Sequence, residues 1–193
     1  MINQHAFNFC SIYHLMHALL SNAVLRSIHP YGVDGRMSQI VLLRNLNITD
    51  TLLYLYPRMF SVDTNSILPL ALTSFGQGTM FLFHTHDKIY IWVSAAVDQS
   101  LIENAFGCQI LENLPTIFPP VETKPCQNSI DYLKLQNMIF DCVKLSKKYL
   151  NVEVIGQENP RENIFSEIIV DDSTVSGSNL LLWIQNMQFK VAI

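Results

Sequence analysis

Charged residues are scarce in this chain, and it has no cluster of basic residues. Asp, Glu, Lys and Arg make up 15% of the 193 residues, against about 25% in an average soluble domain. The formal net charge is -4, which argues against a nucleic-acid partner because such proteins present a basic face to phosphates. The same shortage of Lys and Arg leaves no basic amphipathic helix for an anionic membrane surface.

Long apolar runs are also missing, although 49% of the residues are hydrophobic and the mean hydropathy is +0.22. The longest runs, such as residues 180–184, fall short of the roughly 18 residues that a membrane-spanning helix needs. The N-terminal segment lacks a positively charged leader and a small-residue cleavage site, so no signal peptide is predicted. A chain this apolar is expected to bury surface against a partner or against the rest of a larger protein.

Cysteines are few and show no metal-binding spacing. No two of the four form a C-x-x-C pair, and without a secretory signal we expect reduced cytosolic thiols, although this number still allows disulfides. The four are Cys10, Cys108, Cys126 and Cys142.

Residues 1–56 predict three short helices, because apolar residues recur at spacings of three and four. The third covers residues 50–56 with Thr49 or Asp50 as its N-cap, and it ends at Pro57, whose ring disfavours a helical residue before it. Short helices cannot enclose a core alone, so this segment needs a neighbour. The apolar stripe of the first helix is Ile12, Leu15, Met16, Leu19, Leu20 and Val24.

After Pro57 the pattern changes to strands. Residues 80–83 and 89–93 are apolar on both alternating faces, which is typical of strands in a sheet that is covered on both sides. Shorter strands are predicted at residues 58–62, 152–155 and 168–170, with a turn-rich segment at residues 63–66. A polar hairpin loop joins the two central strands, and it consists of Thr85, His86, Asp87 and Lys88.

Helices follow the hairpin. Asp98 is expected to cap a helix that ends at Gly107. The longest helix is predicted at residues 129–150, and Ser178 is expected to cap the last helix. The order of elements predicts an α/β (α+β) fold, a mixed sheet with helices on both faces, preceded by a short all-α segment. The apolar stripe of the longest helix is Leu135, Met138, Cys142, Leu145 and Tyr149.

The hairpin loop contains the one pattern that suggests metal chemistry. His84 and His86 stand two residues apart, with Asp87 behind them, and residues i and i+2 of a strand project to the same face. A zinc site needs a third and usually a fourth ligand, and the typical ligand spacings are absent. We therefore interpret the histidines as a solvated hairpin tip.

Other chemical motifs are incomplete. No Ser lies in a G-x-S-x-G turn, and Gly76-Gln77-Gly78 lacks the Lys and Ser/Thr of a phosphate-binding loop. Asp171-Asp172 lacks the other ligands of a calcium loop. The sequence predicts no catalytic, cofactor-binding or metal-binding residues, and the chain is not expected to be an enzyme.

Several segments together resemble a known family. TMFLFHTHDKIYIWVSAAVDQSLIENAFG resembles the central hairpin and first helix of a gelsolin-like domain. SIYHLMHALLSNAVLR and LLRNLNITDTLLYLYPRMFSVD resemble the end of the helical domain of the COPII inner coat and its junction to the gelsolin-like domain. FSEIIVDDSTVSGSNLLLWIQNM is similar to the closing segment of that family, whose cargo-adaptor subunit is the better match. Ser94, His86 and Asn179 depart from the usual family residues.

The resemblance implies that residues 1–56 are the C-terminal part of the helical domain and residues 57–193 the gelsolin-like domain. It implies a C-terminal fragment of a cargo adaptor, acting as an interaction module in vesicle transport from endoplasmic reticulum to Golgi. The implied location is cytoplasmic, peripheral to COPII-coated vesicles and the endoplasmic reticulum membrane. No cofactor is expected in this fragment, since the family's zinc belongs to a zinc finger that would precede it.

The implied partners are the sister inner-coat subunit and the tails of cargo or cargo receptors, through the full-length protein. The apolar face of Ile12, Met16 and Leu19 is expected to dock the rest of the helical domain, and to make the isolated fragment self-associate.

A calcium-regulated actin-binding domain of the gelsolin and villin type is the alternative. Those proteins hold calcium with acidic residues beside the hairpin strand and on the following helix. Gly78-Thr79 offers no carboxylate beside the strand, and Glu103 alone makes a poor calcium site.

Overall fold

The computed structural model describes residues 32–68, 70, 74–75, 79–118 and 129–169. The predicted first helix, Gly76-Gln77-Gly78, Asp171-Asp172 and the helix expected from Ser178 lie outside these ranges. The helices are α1 (Gly32–Asn45), α2 (Ile48–Leu55), α3 (Gln99–Phe106), α4 (Ile130–Ser146) and α5 (Asn163–Ile168). The strands are β1 (Arg58–Ser61), β2 (Ser66–Leu68), β3 (Met80–His84), β4 (Lys88–Val93) and β5 (Asn151–Gly156).

The five strands of the described residues form one mixed sheet in the order β2-β1-β3-β4-β5. Neighbouring strands are antiparallel except β4 and β5, which are parallel and place Trp92 opposite Ile155. Residues 116–118 line the outer edge of β5, where Phe118 N donates to Val152 O over 3.0 Å and Val154 N donates to Thr116 O over 3.0 Å. This segment covers one edge of the sheet, and the other edge strand, β2, is only three residues long.

The hairpin of β3 and β4 forms the centre of the core because every side chain from Met80 to His84 is buried. Leu82 and Ile91 belong to the apolar cluster that includes the inner faces of α3 and α4. Phe81 and Trp92 face the other side of the sheet and stack with ring centroids 5.5 Å apart.

The second face is an aromatic cluster. Phe165 of α5 lies 4.8 Å from the ring of Phe83, and Phe75 contacts Trp92 edge-on at 4.7 Å. The two-sided burial predicted from the alternating apolar pattern is therefore confirmed, and so is the α/β fold class with helices on both faces.

Side-chain caps fix the ends of α3 and α4. The Asp98 carboxylate accepts from Ser100 N, and Gly107 closes α3 in the left-handed conformation at φ 73°. Ser129 caps α4 by accepting from Tyr132 N over 3.1 Å. These starts and the Gly107 end agree with the sequence prediction.

Some boundaries differ from the prediction. The N-cap of α2 is Asn47, whose side-chain oxygen accepts from Asp50 N over 2.9 Å, so the predicted cap at Thr49 or Asp50 was wrong. Helix α4 ends at Ser146 because Lys147 adopts a left-handed conformation at φ 54°. Tyr149 lies beyond this turn and is exposed, and Leu145 is exposed within α4, so neither joins the buried stripe, contrary to the prediction.

Two further elements differ from the prediction. Strand β2 begins at Ser66, the last residue of the predicted turn-rich segment, and its three residues are largely exposed and carry no alternating pattern. The apolar run that begins at Ile168 was counted as a strand, but Ile168 is the last residue of α5. Among the described helices, none has the length and apolar character to cross a bilayer.

Candidate functional site at the hairpin tip

The tip of the β3–β4 hairpin lies where helix α2 and the C-terminal end of α4 meet the sheet. His84 is the last residue of β3 and is 0% exposed. Its Nε2 lies 2.7 Å from the hydroxyl of Ser146, which ends α4. The ring of His86, two residues later, contacts Tyr54 of α2 edge-on at 5.0 Å. The two imidazoles therefore contact different helices, His84 contacting α4 and His86 contacting α2, and they do not converge on a shared ligand.

An ion pair joins α2 to the segment that directly follows α4. Asp50 of α2 is buried, and its Oδ2 lies 2.8 Å from Nζ of Lys148, just after α4. The same oxygen accepts from Asn47 Nδ2 over 2.9 Å. The ion pair, the buried hydrogen bond of His84 and the ring contact of His86 form what we call the polar joint: Tyr54, Asp50, His84, His86, Ser146 and Lys148.

Burial controls the protonation of both histidines. Desolvation, assisted by the positive charges of Arg58 and Lys148, lowers the pKa of His84 to about 4, and Asp50 only partly opposes this. Desolvation also lowers the pKa of His86. Both rings are therefore neutral at neutral pH. The expectation of solvated histidines was wrong for His84, because the alternation of β3 turns this residue toward α4.

The joint also contains two polar atoms that lack a hydrogen-bond partner. These are His84 Nδ1 and Asp50 Oδ1, both buried. Unpartnered buried polar atoms cost free energy relative to a solvated state. The joint therefore combines one stabilising ion pair with two atoms whose burial lowers the free energy of unfolding.

Asp87 belongs to the turn of the hairpin. The hydroxyl of Thr85 donates to Asp87 Oδ1 over 3.0 Å and to Lys88 O over 2.8 Å, while Lys88 N donates back to that hydroxyl. His86 Nδ1 lies 3.4 Å from the same carboxylate oxygen of Asp87. Within the described residues, no group of three or more His, Cys, Asp and Glu side chains could hold a metal ion.

The position before β3 is also occupied by a local contact. The Asp63 carboxylate accepts from Thr79 N over 2.9 Å, whereas Glu103 is exposed on α3.

Burial raises the pKa of the Cys142 thiol to about 12, so this thiol is protonated at neutral pH and is a weak nucleophile. Met138 is buried in the core, as the sequence predicted.

The departures from the family pattern have local explanations. Ser94 closes β4, and its hydroxyl donates to Gln157 Oε1 over 3.1 Å, which also accepts from Ala95 N over 2.8 Å. His86 stands where the family commonly has glycine, and it contacts Tyr54. Asn179 lies outside the described residues.

Sequence reasoning missed most of the polar joint. Asp50, Ser146 and Lys148 belong to ordinary helical patterns, and none of them stands near the histidines in sequence. The one local signal was the spacing of Asn47 and Asp50, which matches an N-terminal cap. The arrangement provides contacts that dock α2 against the sheet.

Removing the cation of the joint should destabilise the fold. Lys148→Met leaves the Asp50 carboxylate buried without its partner, and we expect a loss of about 1–2 kcal/mol in the free energy of unfolding. This is less than for a fully buried pair, because the Lys148 side chain is 36% exposed and solvent screens it. Urea unfolding measures the change.

Lys147→Met is the matched control, since Lys147 is the exposed neighbour and should change stability by less than about 0.5 kcal/mol. Adding Asp50→Asn to each background completes a double-mutant cycle. Equal losses for the two lysine variants, or a coupling energy of zero, would show that the pair does not stabilise the joint.

The described residues define an α/β module: a mixed sheet with a fully buried central hairpin, helices on both faces and a helical segment docked at the hairpin tip. No family model matches the chain. It is similar to the human Protein transport protein Sec24C, with 24% identity over 177 residues, which cover 84% of this chain and 15% of that protein. Human Sec24D is 22% identical over 176 residues, covering 85% of this chain and 16% of that protein.

The fold agrees with the sequence comparison. The crystal structure of the human COPII-coat protein Sec24c matches with a TM-score of 0.69 and 18% identity, covering 94% of this chain and 24% of that one. This chain thus spans less than a fifth of the curated relatives that it matches. The resemblance to a COPII coat subunit is confirmed by these similarities, and the actin-binding alternative is not supported by them.

Proposed function

We propose that this chain is the C-terminal interaction module of a COPII coat cargo adaptor, acting in vesicle transport from endoplasmic reticulum to Golgi. The observation that carries the proposal is the extent of the similarity. It covers 84% of this chain in sequence and 94% in fold, so it includes both the helical segment and the sheet. A likeness confined to the sheet would support only a shared fold.

Two domains are part of the proposal, with residues 1–56 belonging to the helical domain and residues 57–193 to the gelsolin-like domain. Pro57 supports this boundary, because α2 ends just before it and β1 begins just after it. The polar joint then holds the end of the helical domain against the sheet, through Asp50 of α2 and Lys148 after α4.

The module contributes contact surface, and no chemical step is assigned to it. Its proposed partners are the sister inner-coat subunit and the tails of cargo or cargo receptors, reached through the rest of the adaptor. The proposed location is the cytoplasmic side of the endoplasmic reticulum membrane and of COPII-coated vesicles, with peripheral attachment through the coat.

A chimaera tests the proposal. Human Sec24C carrying this chain in place of its own matching segment should assemble with the sister subunit, enter budded vesicles and carry a reporter cargo. Sec24C with that segment deleted is the baseline, and a chimaera with Phe83→Ala in the buried core should behave like the deletion. A chimaera no better than the deletion would reject the proposed function.

Actin co-sedimentation separates the alternative class. The 193-residue chain should remain in the supernatant with filamentous actin, both with calcium and with a chelator. Calcium-dependent pelleting with actin would favour a gelsolin-type function instead.

A further inference from the structure

The outer face of α4 carries an apolar stripe that faces away from the core. Ile130 is 85% exposed, Leu133 44% and Phe140 65%, although the outer face of a surface helix is normally polar. These side chains lie at i, i+3 and i+10, and Asn137 and Lys144 complete the series at i+7 and i+14. The spacing is that of the a and d positions of two heptads, which pack against a second helix in coiled coils. We call these five residues the outer seam.

Helix α4 presents the outer seam on a fixed support. Its inner face is buried in the core through Leu135, Met138 and other residues of the same cluster. At its N-terminus, the Ser129 hydroxyl donates to Asn104 O, and Asn104 Nδ2 donates to Asp131 over 3.3 Å. A seam held in place this way loses little conformational entropy when a partner docks.

The charges beside the seam identify its partner. Lys134 and Asp141 occupy the e positions of the two heptads, and they carry opposite charges seven residues apart. In an antiparallel helix pair, the e positions of one helix face the e positions of the other. Two copies of α4 would therefore place each Lys134 opposite the Asp141 of the other copy. A parallel pair would place e opposite g, where Gln136 and Val143 offer no charge.

We propose that two copies of this chain associate through antiparallel packing of their outer seams. The contact is isologous, so each copy supplies the same patch and the same two charges. Two heptads on one helix make an interface at the small end of the size range, and we expect a dissociation constant on the order of 10–100 µM. The proposal does not depend on the proposed function in the coat.

Analytical ultracentrifugation of the 193-residue chain tests it, over protein concentrations from about 5 to 500 µM that bracket the expected dissociation constant. The wild-type chain should shift from monomer to dimer. Leu133→Lys and Phe140→Lys should each weaken the association at least tenfold. Tyr149→Lys is the matched control, since Tyr149 is an exposed aromatic residue beyond the end of α4, and it should leave the dissociation constant unchanged.

Charge reversal tests the antiparallel self-pairing itself. Lys134→Asp and Asp141→Lys should each weaken association, because like charges then face each other across the seam. An equimolar mixture of these two variants should associate as well as the wild type, since opposite charges again face each other. Lys134 also donates to Asp63 O within its own chain over 2.9 Å, so thermal melting of each variant controls for a local loss of fold.

Three results would overturn the proposal. The first is a wild-type chain that stays monomeric at the highest concentration, which would mean that the seam meets another segment or another protein. The second is association that persists in Leu133→Lys and Phe140→Lys, as expected if the face of Ile12 and Met16 pairs instead. The third is a mixture of the two charge variants that fails to associate.

Discussion

Replacing Phe83 by Ala should lower the free energy of unfolding by about 4 kcal/mol. Phe83 is 0% exposed, and its ring lies 4.8 Å from Phe165 and 5.8 Å from Phe75. The substitution removes the transfer free energy of the ring and leaves a cavity between β3 and α5, where the sheet is too constrained to collapse. Urea unfolding followed by circular dichroism measures the loss.

Phe140→Ala is the matched control for the same chemical change. Phe140 is 65% exposed on the outer face of α4, so its truncation should change stability by less than about 0.5 kcal/mol in the dilute monomer. Similar losses for Phe83→Ala and Phe140→Ala would contradict the assignment of the aromatic cluster to the core.

The central hairpin could be predicted because its signal is local. Strands β3 and β4 are apolar at both odd and even positions, and a strand with that pattern has to be covered on both faces. The starts of α3 and α4 were equally accessible, since Asp98 and Ser129 cap the helices that directly follow them. Such features depend on neighbours within a few residues.

The polar joint could not be predicted because its partners are remote in sequence. His84 bonds to Ser146, 62 residues later, and Lys148 reaches back to Asp50. A histidine at a hairpin tip is consistent with a solvated ring until a helix end is known to cover it. The exposed end of α4 was missed for a related reason. Tyr149 continues the apolar pattern of the buried face but lies after Lys147 has turned the chain away. Leu145 matches the same spacing, yet it is exposed within α4.

The same burial gives the joint a defined response to acid. His84 has an ordinary pKa of 6.5 in the unfolded chain, and burial with Arg58 and Lys148 lowers the pKa to about 4 in the folded chain. Between these two values the unfolded chain binds a proton at this imidazole and the folded chain does not. Stability therefore rises with pH across this window and is lost as pH falls through it.

We expect this single group to remove about 3 kcal/mol of stability between pH 6.5 and pH 4, since each pKa unit corresponds to about 1.4 kcal/mol. His84→Gln keeps a side chain that forms hydrogen bonds but does not titrate. Between pH 6.5 and pH 4, the variant should therefore lose about 3 kcal/mol less stability than the wild type. Urea unfolding at intervals of half a pH unit gives both curves.

The difference between the two curves is the informative quantity. His86, whose pKa burial also lowers, is present in both proteins, and its contribution cancels in the subtraction. The offset between the curves above pH 6.5, where His84 is neutral in both states, reports only how well Gln fits beside Ser146. The difference in free energy of unfolding between the variant and the wild type should be constant above pH 6.5. It should change by about 3 kcal/mol in favour of the variant as the pH falls to 4. Parallel curves would mean that His84 can be protonated in the folded chain, and that α4 does not exclude water from the hairpin tip.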